Sequence, residues 1–317
     1  MRLLVTGGAG YVGAAVAWRL REAGHAIVVV DNLSTGRREN ADGFELVVAD
    51  VGDDAVGDLL RARRIEGIVH LAASCLVGES VLHPALYYRN NLVQSIQLLD
   101  HARRAGVSRL VLSSTAAVYG EPERTPIDES HPTRPTNPYG ETKLAFERAL
   151  RWHGTAYGIR SVALRYFNAA GATSDGRHGE RHDPETHLVP NVLRAAARGG
   201  PVQVFGTDYP TPDGTAVRDY VHIQDLADAH CLALEAPGEP GLAAFNLGHG
   251  QGYSVREVIE TARRVTGRPI AVESGPRRPG DPARLVASSD RARSVLGWRP
   301  AASLETIVET AWRHLQG

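Results

Sequence analysis

Along the first half of the chain, short apolar runs alternate with stretches of helical periodicity. Runs at residues 2–6, 26–31, 45–49, 67–72, 109–114 and 160–166 predict strands, and the segments 11–23, 53–63, 84–105 and 138–157 predict the helices between them. Each helical segment is long enough to carry the chain back for a parallel neighbour. The pattern predicts an α/β fold with a doubly wound parallel sheet. From about residue 170 the texture changes to Gly-, Asp-, His- and Pro-rich loops broken by helical patterns at 188–198, 224–235, 254–266 and 304–315. A smaller α+β lobe is expected there, packed directly on the sheet with the ligand cleft between the two.

Length agrees with this division. The 317 residues allow a Rossmann domain over 1–169 and a second lobe over 170–317, some of whose segments return to the first. Hydrophobic residues make up 43% and charged residues 22%, which excludes a disordered chain. Thirty-five basic side chains against 36 acidic ones leave a net charge of −1, so neither nucleic acid nor an anionic membrane is an expected partner. Two distant cysteines, Cys75 and Cys231, fit neither a disulfide framework nor a four-ligand zinc site; a reducing cytoplasm is expected. The N-terminus lacks a signal-peptide apolar core, and the longest apolar stretch, 68–77, is too short to span a bilayer. One feature of the charge is unusual: Lys143 is the single lysine, and every other basic residue is arginine. A lone lysine in such a chain is a candidate for a task that needs a compact ammonium.

The clearest local signal follows the first strand. Gly7, Gly10 and Gly13 stand three apart across the turn into the first helix, where backbone amides and the helix dipole can receive a pyrophosphate. Asp31 ends the second strand, in place to accept hydrogen bonds from an adenosine ribose and to repel a 2′-phosphate. A dinucleotide site selecting NAD is expected; Arg37 and Arg38 keep NADP as the lesser alternative. Asp50, after the third strand, either reaches the adenine amino group or caps the next helix with Asp53.

Tyr139 and Lys143 lie four apart at the start of the helix after Pro138 and so share a face. An ammonium beside a phenol favours the phenolate, which a tyrosine general base requires. Thr115 ends the fifth strand on the carboxyl edge of the sheet, where ligands of open α/β folds bind. Its hydroxyl can accept or relay the hydrogen bond of a sugar hydroxyl being oxidised, or can simply satisfy loop backbone.

With these residues in view, the chain resembles the extended short-chain dehydrogenase/reductase superfamily, and within it the UDP-glucose (UDP-galactose) 4-epimerase family nearly end to end. The segments 77–80, 87–91, 164–168, 205–211 and 217–222 carry the resemblance. It implies that Tyr139 takes the proton of the sugar 4-hydroxyl as hydride leaves C4 for NAD, that Lys143 holds the cofactor ribose, and that Thr115 shares the hydroxyl. It also implies further cofactor contacts from Tyr11, Val12, Asn32, Val51, Leu71, Ala72, Ala73, Asn91, Ser113 and Tyr166. For the UDP-sugar, Arg218 and Arg278 would grip the diphosphate and Asp281 the uridine ribose, while Asn168, His187, Leu188, Gln203, Val204, Phe205 and Tyr220 would line the groove. A homodimer through the helices at 84–105 and 138–157 is implied too.

Some positions depart from the pattern. Cys75 stands where many family members have a lysine near the cofactor; with no histidine beside it in sequence, it is expected to be a small buried hydrophobe. The segment 178–187, with His178, Glu180, His182 and His187, lacks the H-E-x-x-H order and is expected to be a loop over the substrate mouth, not a metal site. Leu285 takes the position where, in the family, a tyrosine restricts the site to glucose and galactose and a small residue admits N-acetyl sugars; its intermediate bulk predicts some activity on UDP-N-acetylglucosamine. A dehydratase would need proton-transfer groups after Thr115, where this chain has Ala116 and Ala117. A 4-epimerase of a uronate or pentose nucleotide, and a non-catalytic NAD sensor, are the other readings.

Overall fold

The computed structural model describes residues 1–278 and 281–317. Strands β1 (Arg2–Thr6), β2 (Ala26–Asp31), β3 (Glu45–Val48), β4 (Gly67–His70), β5 (Arg109–Thr115) and β6 (Arg160–Tyr166) form at the expected places. Their Val-, Ile- and Leu-rich sequences suit burial on both faces of a parallel sheet. Between them run α1 (Tyr11–Glu22), α2 (Asp54–Ala62), α3 (Val77–Leu82), α4 (Pro84–Tyr87), α5 (Gln94–Ala105) and α6 (Pro138–Tyr157).

The segment expected as one helix over 84–105 is instead α4, a π-helical turn at Tyr88–Val93, and α5 in succession. The wide turn carries Asn91, whose side chain reaches out to accept from Ser74 N at 2.8 Å and donate to Ser74 O at 2.9 Å. Local widening of this kind re-aims a side chain without ending the helix.

Beyond β6 come β7 (Asn168–Ala170), α7 (Leu188–Arg198), β8 (Pro201–Phe205), β9 (Val217–Arg218), β10 (Tyr220–His222), α8 (Ile223–Glu235), β11 (Gly241–Leu247), β12 (Tyr253–Ser254), α9 (Val255–Thr266), β13 (Ala271–Gly275), β14 (Arg284–Leu285) and α10 (Leu304–Gln316). The central sheet has seven parallel strands in the order β11-β6-β5-β4-β1-β2-β3. β11 is the strand that periodicity does not predict. Its sequence, Gly-Leu-Ala-Ala-Phe-Asn-Leu, is weakly branched, and full pairing to β6 supplies what propensity lacks.

Helices α1 and α8 cover one face of this sheet over a core that includes Val5, Val16, Leu20, Leu226 and Leu234; α2, α5 and α6 cover the other over Leu4, Leu60, Leu98 and Phe146. A separate core, with Val192, Val258 and Ile307, joins α7, α9 and α10. The strand order reverses between β1 and β4, so loops leave the carboxyl edge in opposite directions and a crevice opens there.

Two buried histidines fasten the layers under that edge. His70 accepts from Thr6 Oγ1 at 2.7 Å and donates to Ser95 Oγ at 2.8 Å, since Ser95 itself donates to Asn91 O. His230 donates to Leu226 O at 2.8 Å and accepts from Ser113 Oγ at 2.7 Å. Both rings are neutral, their pKa values pulled down by burial to about 3 and about 4. The unfolded chain takes up these protons near pH 6.5 while the folded chain refuses them, so this stability is complete above that pH and lost as pH falls toward the folded values. Thermal unfolding between pH 7 and pH 4 should show a falling midpoint, each histidine contributing roughly 1.4 kcal/mol per pH unit. A midpoint that stays level over this range would contradict the neutral assignment.

Candidate functional site

A cleft of about 1490 Å³ runs along the carboxyl edge of the sheet and under the second lobe. Its floor begins at the glycine turn with Gly7, Gly10, Tyr11, Val12 and Gly13. The turn tolerates nothing larger: a Cβ on Gly13 would lie 2.0 Å from Gly7 O, and Gly7, at φ +70°, would press a Cβ to 2.6 Å from Ala72 N. The result is a cradle at the N-terminus of α1, whose first amides have no helical partner. Asp31 and Asn32 from the end of β2, Asp50 and Val51 after β3, and Leu71, Ala72 and Ala73 after β4 continue the lining. Asp31 is buried, which raises its carboxyl pKa, while Leu33 N at 2.8 Å and Ala9 N at 3.0 Å donate to it and oppose that rise. Asn32 donates to Asp50 Oδ1 at 2.7 Å, tying the ends of β2 and β3 together. These residues fit a dinucleotide: a glycine cradle that any Cβ would fill, followed by a carboxylate at the ribose position.

The Tyr139–Lys143 face meets this floor where α6 starts. Asn137 caps the helix by accepting from Gly140 N at 2.9 Å, and Pro138 fixes its first turn. Tyr139, Lys143, Thr115 and Tyr166 all face the cleft. Thr115 Oγ1 accepts from Ala117 N at 3.1 Å and keeps its proton for the Tyr139 hydroxyl or a ligand. Lys143 Nζ donates to Ser113 O at 3.0 Å and is buried, which pulls its pKa down to about 8. At Tyr139 the expected lowering is reversed: burial drives the phenol pKa up, and the hydrogen bond with Thr115 opposes this only in part. Desolvation outweighs every other influence on the phenol and sets the direction.

Asn168 at the domain boundary and, from the second lobe, His187, Leu188, Gln203, Phe205, Arg218, Tyr220, Arg278, Asp281 and Leu285 line the facing wall. Arg218 is ion-paired with Asp281 and donates to Val217 O at 2.7 Å; the Arg278 guanidinium lies over the Phe205 ring at 4.2 Å. Leu285 pairs with Arg218 across β14 and β9.

Three residues from the sequence reading lie outside the lining. Asn91 is turned onto the Ser74 backbone, and Ser113 meets His230 with its hydroxyl and Lys143 with its carbonyl. Val204 is buried in the separate core under α7, α9 and α10, because alternation along β8 sends Gln203 and Phe205 to one side and Val204 to the other. Cys75 departs from its expected burial: it is exposed and lines the cleft, near enough to His182 to raise the pKa of that ring. The loop 178–187 is also less solvated than expected. The pKa of His182 is raised to about 10 by Cys75 and Glu180; that of His187 reaches about 10 because its bonds to Glu180 and Glu185 outweigh the opposing effect of burial.

One group behind the site has no simple sequence signature. Glu147, on α6 one turn past Lys143, accepts from Arg165 Nε at 3.0 Å and from Ser114 Oγ at 2.6 Å. Arg165 also donates to Tyr119 Oη at 3.0 Å, and Tyr119 to Asn246 Oδ1 at 2.7 Å. The network locks α6 to β5, β6 and β11.

A Rossmann sheet with a glycine cradle, a ribose-side carboxylate and a Tyr-Lys pair defines a nucleotide-dependent oxidoreductase-type site. The NAD dependent epimerase/dehydratase family model matches residues 3–248, and the chain belongs to that family. It is 50% identical to the UDP-glucose 4-epimerase of Halalkalibacterium halodurans, over 98% of this chain and 95% of that one. To the UDP-glucose 4-epimerase of Corynebacterium glutamicum it is 51% identical, with the same coverage of 98% and 95%. Among solved structures, the UDP-glucose 4-epimerase of Brucella ovis in complex with NAD superposes with a TM-score of 0.94 at 45% identity, covering 99% of this chain and 98% of that one. The Bifidobacterium longum UDP-glucose 4-epimerase, in complex with NAD+ and UDP, gives 0.94 at 36% identity, covering 100% and 98%.

The side chains of Glu147 and Arg165 are 2% and 7% exposed, so removing one leaves a buried charge unpaired. Glu147→Ala should cost about 3–5 kcal/mol in denaturant-induced unfolding, and the double variant Glu147→Met with Arg165→Met clearly less. Equal losses in both would show that the pair does not act as a unit.

Proposed function

We propose that the protein interconverts UDP-galactose and UDP-glucose by transient oxidation at sugar C4, with NAD retained in the site. The observation that carries this reading is the convergence of Tyr139, Lys143 and Thr115 on the cleft beside the glycine cradle. Bound NAD would supply a hydride acceptor for C4 and return the hydride to the opposite face of the 4-keto sugar. Tyr139 Oη takes the 4-hydroxyl proton and gives it back, Thr115 holds that hydroxyl, and Lys143 positions the cofactor ribose and favours the phenolate once its ammonium is shared. Arg218 and Arg278 grip the diphosphate, with Asp281 on the uridine ribose. Ala116 and Ala117 offer no proton for an elimination, which favours epimerisation over dehydration.

Residues 1–169 would form the NAD-binding domain, and the chain from 170 the sugar-nucleotide lobe apart from segments that rejoin the sheet. A homodimer is supported by the apolar side chains that α3 to α6 expose, among them Val81, Leu82, Leu86, Val93 and Trp152. No helix among the described residues is long and apolar enough to cross a membrane, and both cysteines are free; a cytoplasmic setting is the reading these favour.

Purified protein given UDP-galactose without added nicotinamide nucleotide should form UDP-glucose. Tyr139→Phe should lower turnover by at least about 10³-fold while the retained NAD survives. Unchanged turnover would defeat the assignment, and an inert wild type with bound NAD would favour a sensor. Leu285, half-buried at the sugar end, should admit UDP-N-acetylglucosamine weakly, and Leu285→Tyr should remove that activity while sparing UDP-galactose. No conversion of the N-acetyl substrate by the wild type would refute this specificity.

A further inference from the structure

Four potential ligands converge at the cleft wall, three of them lining it, at a point that neither the proton transfer nor the hydride transfer uses. Glu180, His182, Glu185 and His187 each offer one donor atom, and the four atoms lie within 4.8 Å of one another. His187 Nδ1 is 2.7 Å from Glu180 Oε1 and 2.9 Å from Glu185 Oε1; His182 Nδ1 is 3.0 Å from Glu180 Oε1. The two carboxylates are deeply placed, with side chains 6% and 1% exposed. A buried carboxylate needs partners on both oxygens. Glu185 Oε2 is buried and has no hydrogen-bond partner, and the Arg194 guanidinium stands 3.9 Å away.

We propose that Glu180, His182, Glu185 and His187 form a binding site for a divalent cation of the zinc class, a site separate from the hydride chemistry. Two imidazole nitrogens with two carboxylate oxygens are a borderline donor set, suited to zinc or its cobalt analogue and poorly suited to magnesium or calcium. Ligands about 2.0–2.2 Å from a tetrahedral ion stand about 3.4 Å apart, so the three short contacts must open by about half an ångström and any wider pair, at most 4.8 Å apart, must close. The spacing is E-x-H-x-x-E-x-H in a loop; the donors meet because the loop folds on itself, not because a helix presents them. An ion there provides the partner that Glu185 Oε2 lacks. It also clasps the loop beside the glycine turn, where His182 packs edge-on against Tyr11 at 6.4 Å. His187 holds the N-cap position of α7, and Leu188 begins the helix, so the clasp fixes the entrance to the sugar-nucleotide wall.

A second group of donors provides the control. His25, Cys231 and Glu235 also come together, with Glu235 exposed, but none of them lines the cleft. The protein as purified, with the NAD it carries, is stripped with a chelator and titrated with Zn²⁺ by calorimetry and with Co²⁺ by visible absorption. The expected result is one tightly bound equivalent, the absorption of tetrahedral cobalt, and a thermal midpoint raised by zinc. Glu185→Gln and His182→Ala should each weaken binding at least tenfold, and Glu235→Gln should leave it unchanged. Variants that retain the wild-type circular dichroism give the comparison; should both lose it, the wild-type stoichiometry and the Glu235→Gln control decide. No stoichiometric binding by the folded wild type overturns the proposal, as does binding abolished by Glu235→Gln.

Discussion

The structure depends on a steric constraint at the first turn of the sheet, where backbone meets backbone without room for a methyl group. Gly13 lies so close to Gly7 that a Cβ would overlap its carbonyl, and Gly7 lies as close to Ala72 after β4. These contacts bring the start of α1 against the two strands at which the winding direction reverses. The crevice produced by that reversal thus has unpaired amides at its base. Everything else in the site is arranged around this point: Asp31 at one side, Tyr139 and Lys143 at the other, and the second lobe across the opening.

Burial then determines the charge states in the cleft. Lys143 is 4% exposed and Thr115 8%, and desolvation shifts the lysine and Tyr139 toward their neutral forms. The ion pairs that survive burial do so by saturation. Glu147 has the Arg165 fork and Ser114, and Arg165 has Tyr119 in addition. This costs desolvation but leaves few unmet donors, and it attaches the helix carrying the Tyr-Lys pair to three strands at once.

Local chemistry was legible from the chain. The glycine triplet, the acid at the end of β2 and the tyrosine four before the only lysine are short-range spacings whose meaning comes from a turn or one helix face. The six predicted strands were legible because each holds a short apolar run, and burial on both faces demands such a run in every strand but the edge strand β3. What escaped depends on distance along the chain. Glu147 reads as an ordinary polar position on α6 until Arg165 is placed against it, and Cys75 has no histidine neighbour until the loop 178–187 folds over the cleft. β11 escaped because alanine and glycine carry little strand propensity. Val204 was within reach: alternation along β8 would have turned it away from its neighbours Gln203 and Phe205.

The late return of the chain to the sheet bears on how the molecule is made. β11 completes the edge beside β6, and α8 covers a face shared with α1, yet both are synthesised after α7 and the strands around it. A nascent chain that has emerged only through β6 presents an unpaired strand edge and an uncovered apolar face. Such a fragment is a candidate for chaperone capture, and truncation between the lobes would leave a sticky half in place of an autonomous domain. Synthesis of the second lobe therefore ends a period of aggregation risk as well as adding a wall to the cleft.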